Sequence, residues 1–241
     1  MSNTNPARGM RDFLPLDVRK RDDVIGVIKS VYESHGFESV ERPEIFHKQV
    51  NGDDKVVEAN AILAVNKVLD RLGIKNFAIY LSHSDILAGI LETVRVPEAL
   101  QQQTFAAIRN FSKFDIEGFV GELQEVGVSE KASTILADLF LKTDEILNQE
   151  HDINRTIVSN LLNIVNSETL AKLGQILRLT GRTPVLIDPA LPCEPPFSHG
   201  TIIEVRTSGL ETLGSGGCVG EKAPVFAFSF DIENIVELME L

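Results

Sequence analysis

The side chains that could do chemistry are few, and most fall late in the chain. Cys193, His199 and Cys218 offer thiolate and imidazole donors of the kind that bind zinc or take part in thiol chemistry. Two cysteines give neither a disulfide framework nor a paired Cys-x-x-Cys site, so no metal centre is assigned. His35, His47, His83 and His151 are scattered without ligand spacing. Residues 213–220, LGSGGCVG, invite a phosphate-loop reading. They fit neither Gly-x-Gly-x-x-Gly nor Gly-x-x-x-x-Gly-Lys-Ser/Thr, and no helix clearly starts after them. They read as a flexible turn joining two strands, using glycine for its tolerance of positive φ. Glu44, Asp85 and Glu92 have no partner in sequence and read as surface carboxylates rather than general bases.

The elements that would position these groups follow from periodicity. Asp17 can cap a helix running to about His35, with Val24, Ile25, Ile28, Val31 and Tyr32 on one face and Gly36 as its stop. A short strand follows from Phe37 to Val40. Residues 47–56 are polar and read as a loop. A second helix covers about 57–72, a strand runs from Asn76 to Ser82, and a helix from Ser84 to Val94. From Pro97 to Gly181 the pattern is almost wholly helical, giving four to six helices whose phenylalanines pack a core. Strands return at Pro184–Asp188, Thr201–Arg206 and Val225–Ser229, and a helix covers about Phe230 to Leu241. This order gives an α+β fold with an antiparallel sheet. The divisions are residues 1–96, a helical insertion over 97–182, and residues 183–241.

The chain has 241 residues, 43% hydrophobic and 24% charged, which suits a globular core. No apolar run is long enough for a bilayer, and the N-terminus lacks a signal-peptide core, so a cytoplasmic protein is expected. The net charge of −12 argues against a large nucleic-acid footprint.

Three segments carry a family resemblance. Residues 6–46, PARGMRDFLPLDVRKRDDVIGVIKSVYESHGFESVERPEIF, resemble the opening of the histidyl-tRNA synthetases, including class II motif 1. The resemblance places Arg11, Asp12, Phe13 and Pro43 at a dimer interface. Residues 56–87, VVEANAILAVNKVLDRLGIKNFAIYLSHSDIL, resemble the helix–strand–helix unit that leads into the family's helical insertion. Val185 onward resembles the histidine-specific segments and motif 3. The implied fold is a trimmed class II synthetase core with a helical insertion.

The departures fall where the family's chemistry lies. Ten polar residues between Phe46 and Val57 stand in place of a long stretch holding motif 2, whose arginine grips the ATP α-phosphate. Losing one such donor costs about 3–4 kcal/mol of transition-state stabilisation. Residues 188–205, DPALPCEPPFSHGTIIEV, place Cys193 at the catalytic arginine, Phe197 and Ser198 at two tyrosines and His199 at a threonine. Residues 211–220, ETLGSGGCVG, retain Gly214, Gly216 and Gly217 but put Cys218 at an arginine. Residues 226–240, FAFSFDIENIVELME, put Asn234 at the adenine-stacking arginine. These nine positions mark a degenerate pocket. The family's anticodon-binding domain would follow the last residue.

The resemblance therefore implies a non-catalytic paralogue acting as a regulatory or protein-interaction subunit. It would be a homodimer or a heterodimer with another protein, with no assigned catalytic residue or cofactor, possible remnant binding of histidine or nucleotide, and no tRNA or membrane partner. One version is a histidine-sensing regulatory subunit of the ATP phosphoribosyltransferase type. Other readings are a pocket reused for a small ligand or metal around Cys193, His199 and Cys218, a residual histidine–tRNA ligase, and a remnant without a present role. The plain account of the two cysteines is drift from arginine codons.

Overall fold

The apolar stripe Val24, Ile28, Val31 and Tyr32 is fully buried on α1 (Pro15–Ser34), and Gly36 ends that helix at a φ of 77°. The computed structural model describes residues 15–39, 45–49, 54–111, 115–147, 153–161, 164–191, 199–209, 211–219 and 225–239. After α1 come β1 (Glu38–Ser39), β2 (Ile45–Gln49) and α2 (Asp54–Arg71), which buries Ala61, Val65, Val68 and Leu69. Gly73 closes α2 with a φ of 80°. Both stops use the left-handed backbone that glycine adopts without a Cβ penalty.

β3 (Phe77–His83) leads directly into α3 (Ser84–Thr93). The helical stretch contains α4 (Glu98–Arg109), α5 (Ile116–Glu125), α6 (Glu130–Leu147), α7 (Ile153–Leu161) and α8 (Ser167–Thr180). Phe111, Phe119 and Phe140 meet there, with the closest ring centroids 4.8 Å apart, so these aromatics serve packing. β4 (Val185–Ile187), β5 (His199–Thr207), β6 (Thr212–Val219), β7 (Val225–Phe230) and α9 (Ile232–Leu238) complete the described elements.

The strands form one seven-stranded sheet in the order β1-β2-β7-β6-β5-β3-β4. The pairings are antiparallel except β3 with β4, which run parallel at the edge. The backbone of that edge strand is held by a side chain: Asn154 of α7 donates to the Val185 carbonyl and accepts from the Ile187 amide, both at 2.7 Å. An amide in this position satisfies groups that an open edge would leave to another chain.

Two local expectations are corrected. Residues 47–56 are not all loop, because β2 runs through Gln49 and α2 begins at Asp54. Pairing with β7 supplies the strand's backbone partners, so local polarity does not decide. The glycine-rich run is not a turn. It is β6, the middle strand of the sheet, and its glycines answer to packing rather than to positive φ. A Cβ on Gly216 would lie 2.5 Å from Phe228 Cδ2 and 2.6 Å from the Ala227 carbonyl oxygen. One on Gly214 would lie 2.5 Å from the Ser229 carbonyl oxygen and 2.8 Å from Phe228 Cε1. The Phe228 ring therefore lies against the bare backbone of β6.

Gly216→Ala should destabilise the protein by about 1–3 kcal/mol through overpacking. Gly174→Ala, on α8 with nothing within 4 Å of the new Cβ, should stabilise it by about 0.5–1 kcal/mol. Urea midpoints of the two variants test the pair, and equal effects would contradict the packing account.

Candidate functional site

Cross-strand partners share a face of a sheet, so the registers sort the strand residues into two sides. Ile79, Leu81, Ile203, Val205, Cys218, Phe226, Phe228 and Phe230 share the side that the helices cover, and all are buried. Tyr80, Ser82, Ile202, Glu204, Arg206, Thr212, Ser215 and Ser229 share the other, more polar side.

On the helix side, Glu58 of α2 is wholly buried and pairs with Lys172 of α8 at 2.9 Å, the lysine side chain being 17% exposed. The Cys218 Sγ lies 3.7 Å from the same Glu58 Oε1. Burial and then the Glu58 charge push the Cys218 thiol up to about 11, although Lys172 pulls the other way. At neutral pH the thiol keeps its proton and donates to Glu58. A protonated, buried thiol is neither a nucleophile nor a ready metal ligand.

A second polar cluster joins α3, α8 and β5. His83 accepts from the Asp85 amide at 3.3 Å through Nδ1 and caps α3, and burial pushes its pKa down. The Asp85 carboxylate accepts from Thr169 at 2.8 Å and Asn166 at 3.3 Å, while Ser84 accepts from the Gly200 amide at 2.9 Å. Burial pushes Asp85 upward, but these hydrogen bonds and His83 outweigh it and hold the acid below its usual range. Asp85 is thus a half-buried joint between helices rather than a free surface acid.

On the polar side, the Arg206 guanidinium donates through Nε to Glu204 and lies 3.4 Å from Asp188 Oδ2 through Nη1. It sits over the Tyr80 ring at 4.6 Å from the centroid. Burial pulls its pKa down, yet the two carboxylates outweigh that and raise it. Among the described strand residues on this side, Arg206 is the one cation. Sequence alone does not reveal this group, because residues on two separate strands and the end of a third meet only once the registers are known.

The positions singled out in sequence scatter. Arg11, Asp12, Phe13, Pro43, Cys193, Phe197 and Ser198 lie outside the described residues. His199 is the ladder partner of Cys218. Gly214 and Gly216 face Phe228, and Gly217 stands opposite Ile202 and Ala227. Asn234 donates to the Thr212 carbonyl at 2.8 Å, and its amide is capped by Asp231 at 3.0 Å, so it ties α9 to β6. Among the described residues, no group of three His, Cys, Asp or Glu side chains could hold a metal, and no helix is long and apolar enough to cross a membrane.

The sheet and its flanking helices have close counterparts. A histidyl-tRNA synthetase from Nostoc sp. PCC 7120 superposes with a TM-score of 0.77 at 15% identity, over 100% of this chain and 76% of that one. The chain has the class II fold of a histidyl-tRNA synthetase. A structure described as an ATP phosphoribosyltransferase regulatory subunit/histidyl-tRNA synthetase from Bacillus halodurans C shares this synthetase-like fold. It gives a TM-score of 0.74 at 13% identity, over 99% of this chain and 84% of that one. A chain from the HisG:HisZ ATP phosphoribosyl transferase complex of Thermotoga maritima gives 0.54 at 8% identity, over 78% and 65%. In sequence, the histidine–tRNA ligase of Leifsonia xyli subsp. xyli (strain CTCB07) is 21% identical over 350 residues, spanning all of this chain and 81% of the relative. That alignment is far longer than the 241-residue chain, so the relative holds stretches with no counterpart here. No family model matches.

Lys172→Met should cost about 3–5 kcal/mol, because it strands a buried carboxylate. The double variant Lys172→Met/Glu58→Gln should recover much of that loss in chemical denaturation, and no recovery would contradict the pairing. Cys218 has a folded pKa raised above its unfolded value, so the folded state holds the extra proton as pH rises. Its contribution to stability is complete below about pH 9 and is lost by about pH 11. The fall in urea midpoint across that window should be shallower in Cys218→Ala than in the parent.

Proposed function

We propose that this chain is a catalytically inactive histidyl-tRNA synthetase-like paralogue that acts as a regulatory or protein-interaction subunit. The state of Arg206 carries the reading. Adenylate chemistry needs free positive charge aimed at a triphosphate. The one cation among the described strand residues on the polar side is committed to Glu204 and Asp188 and offers no such field.

The substituted positions support the same conclusion. Cys218 is occupied with Glu58, and Asn234 is occupied with the joint between α9 and β6. Neither can replace a guanidinium. Cys193 stands at the remaining position that the family resemblance assigns to a catalytic arginine.

The partner version favoured here is a complex with another protein, of the kind formed by the regulatory-subunit neighbours. Two of the similar structures are described as a regulatory subunit of, or part of a complex with, an ATP phosphoribosyltransferase. For this chain the corresponding partner would be that enzyme's catalytic chain, with the segment holding Arg11, Asp12, Phe13 and Pro43 forming a dimer contact. The divisions at 1–96, 97–182 and 183–241 belong to the same proposal. Cysteine-based metal or redox use of the pocket is disfavoured by the protonated state of Cys218.

Three assays on the purified protein test this. Histidine-dependent pyrophosphate exchange should be absent. Calorimetry should detect no binding of ATP with magnesium. Light scattering should give a defined complex with an ATP phosphoribosyltransferase catalytic chain from the same source. Turnover in the exchange assay would overturn the inactive reading, and failure to form any complex would overturn the regulatory one.

A further inference from the structure

α3, α6 and α7 do not close completely on one another. A cavity of about 330 Å³ lies between them and Pro189. Its floor is Ile90 of α3 with Ile157 and Leu161 of α7, all buried. Thr143 of α6 also lines it and is buried. The Thr143 hydroxyl donates to the Leu139 carbonyl at 2.9 Å, so its proton is already used within the helix. Ile135, 42% exposed, and the exposed ion pair of Asp138 with Lys142 stand at the mouth.

An apolar void that nothing holds open tends to close, because its lining forfeits dispersion contacts. Each wall here is fixed elsewhere. α3 lies against the chain at Ile164, where a Cβ on Gly89 would be 2.8 Å from the carbonyl oxygen. α7 is tied to β4 by the two hydrogen bonds of Asn154. α6 is held from another face by Phe140, whose ring packs against Phe111 and Phe119 at centroid distances of 5.9 and 6.2 Å. A wall that moved inward would lose its own anchor, so the space is preformed. Water on its floor would find few polar partners.

We propose that this cavity is a binding site for a small, neutral, apolar molecule, such as an aromatic ring or a short hydrocarbon chain. Its volume falls in the range of small-ligand pockets. An apolar occupant would restore the missing contacts and take the floor out of water. The mouth selects against charge. Asp138 and Lys142 lie 2.6 Å apart and cancel each other. An anion would meet Asp138 and a cation Lys142, so either would shed water without a compensating field. This inference rests on the helical stretch alone, and it holds whatever partner the chain takes.

Two fluorophores test it. Phenylnaphthylamine is neutral, and anilinonaphthalene sulfonate is the same skeleton carrying a sulfonate. Titration with phenylnaphthylamine should give saturable fluorescence with one probe bound per chain, and toluene should displace it. The sulfonate should bind more weakly by about tenfold or more. Thr143→Met, which fills the floor, should weaken phenylnaphthylamine by about tenfold or more. Ile116→Ser changes an exposed isoleucine of α5 that does not line the cavity, and it should leave binding unchanged. Asp138→Asn leaves Lys142 unmatched at the mouth and should strengthen the sulfonate while leaving the neutral probe unchanged. Absence of saturable binding would overturn the proposal. So would a sulfonate that binds the parent as tightly as the neutral probe, or an equal loss from Ile116→Ser. If Thr143→Met does not fold, the surface variant Asp138→Asn carries the test, and no gain for the sulfonate counts against the site.

Discussion

The Phe228 ring of β7 lies against a neighbouring strand, β6, that has almost no side chains where the ring sits. β6 is the middle strand of the sheet, and Gly214 and Gly216 leave no room for a Cβ between its backbone and that ring. Phe228 in turn packs edge-on to Phe230 at 4.8 Å, and Phe230 meets Tyr32 of α1 at 5.7 Å. The chain of rings sets how closely α1 can approach the sheet. It also decides which side of every neighbouring strand is apolar, because register propagates from a central strand with period two. The sorting of Glu58 and Cys218 to one side, and of Glu204 and Arg206 to the other, descends from this contact.

Both sides carry buried or half-buried charge, and in both the charge is matched locally. Glu58 and Lys172 join α2 to α8, and Arg206 joins β5 to the end of β4. Such pairs add less to net stability than their Coulomb energy suggests, because each ion first loses its water. What they give is intolerance of alternatives: a shifted helix would leave an unmatched charge. The Asp85 joint with Thr169 and Asn166 works in the same way without a cation of its own element.

Much of the architecture was legible in the residues. The helical stripe of α1, the stops at Gly36 and Gly73, the helical stretch after Pro97 and the returning strands all follow from local pattern. The order of the elements gave the antiparallel sheet, apart from the parallel pairing of β3 with β4. What stayed hidden needed partners far away in sequence. His47 and Gln49 look like loop residues until β7 is set beside them. LGSGGCVG looks like a turn until the Phe228 ring fills the space its missing side chains leave. Arg206 looks like an ordinary strand-end arginine until Asp188 and Tyr80 come alongside, and Asn154 looks like any polar helix residue until it is seen bonded to both ends of β4 along its outer edge.

The parallel pairing of β3 with β4 brings a consequence of order in time. β3 ends at His83 and β4 begins at Val185, with α3 to α8 between them. An unstructured connection of that length makes ring closure entropically slow and poorly rewarded, since only three residues pair at its end. Helices form from near neighbours, and their condensation shortens the span before the strands meet. Asn154 then arrives as part of a finished helix and fastens the last strand in place. The stretch between the two strands thus acts as a jig: it folds first on its own local rules and delivers β4 to a sheet edge that it would seldom find by chain diffusion.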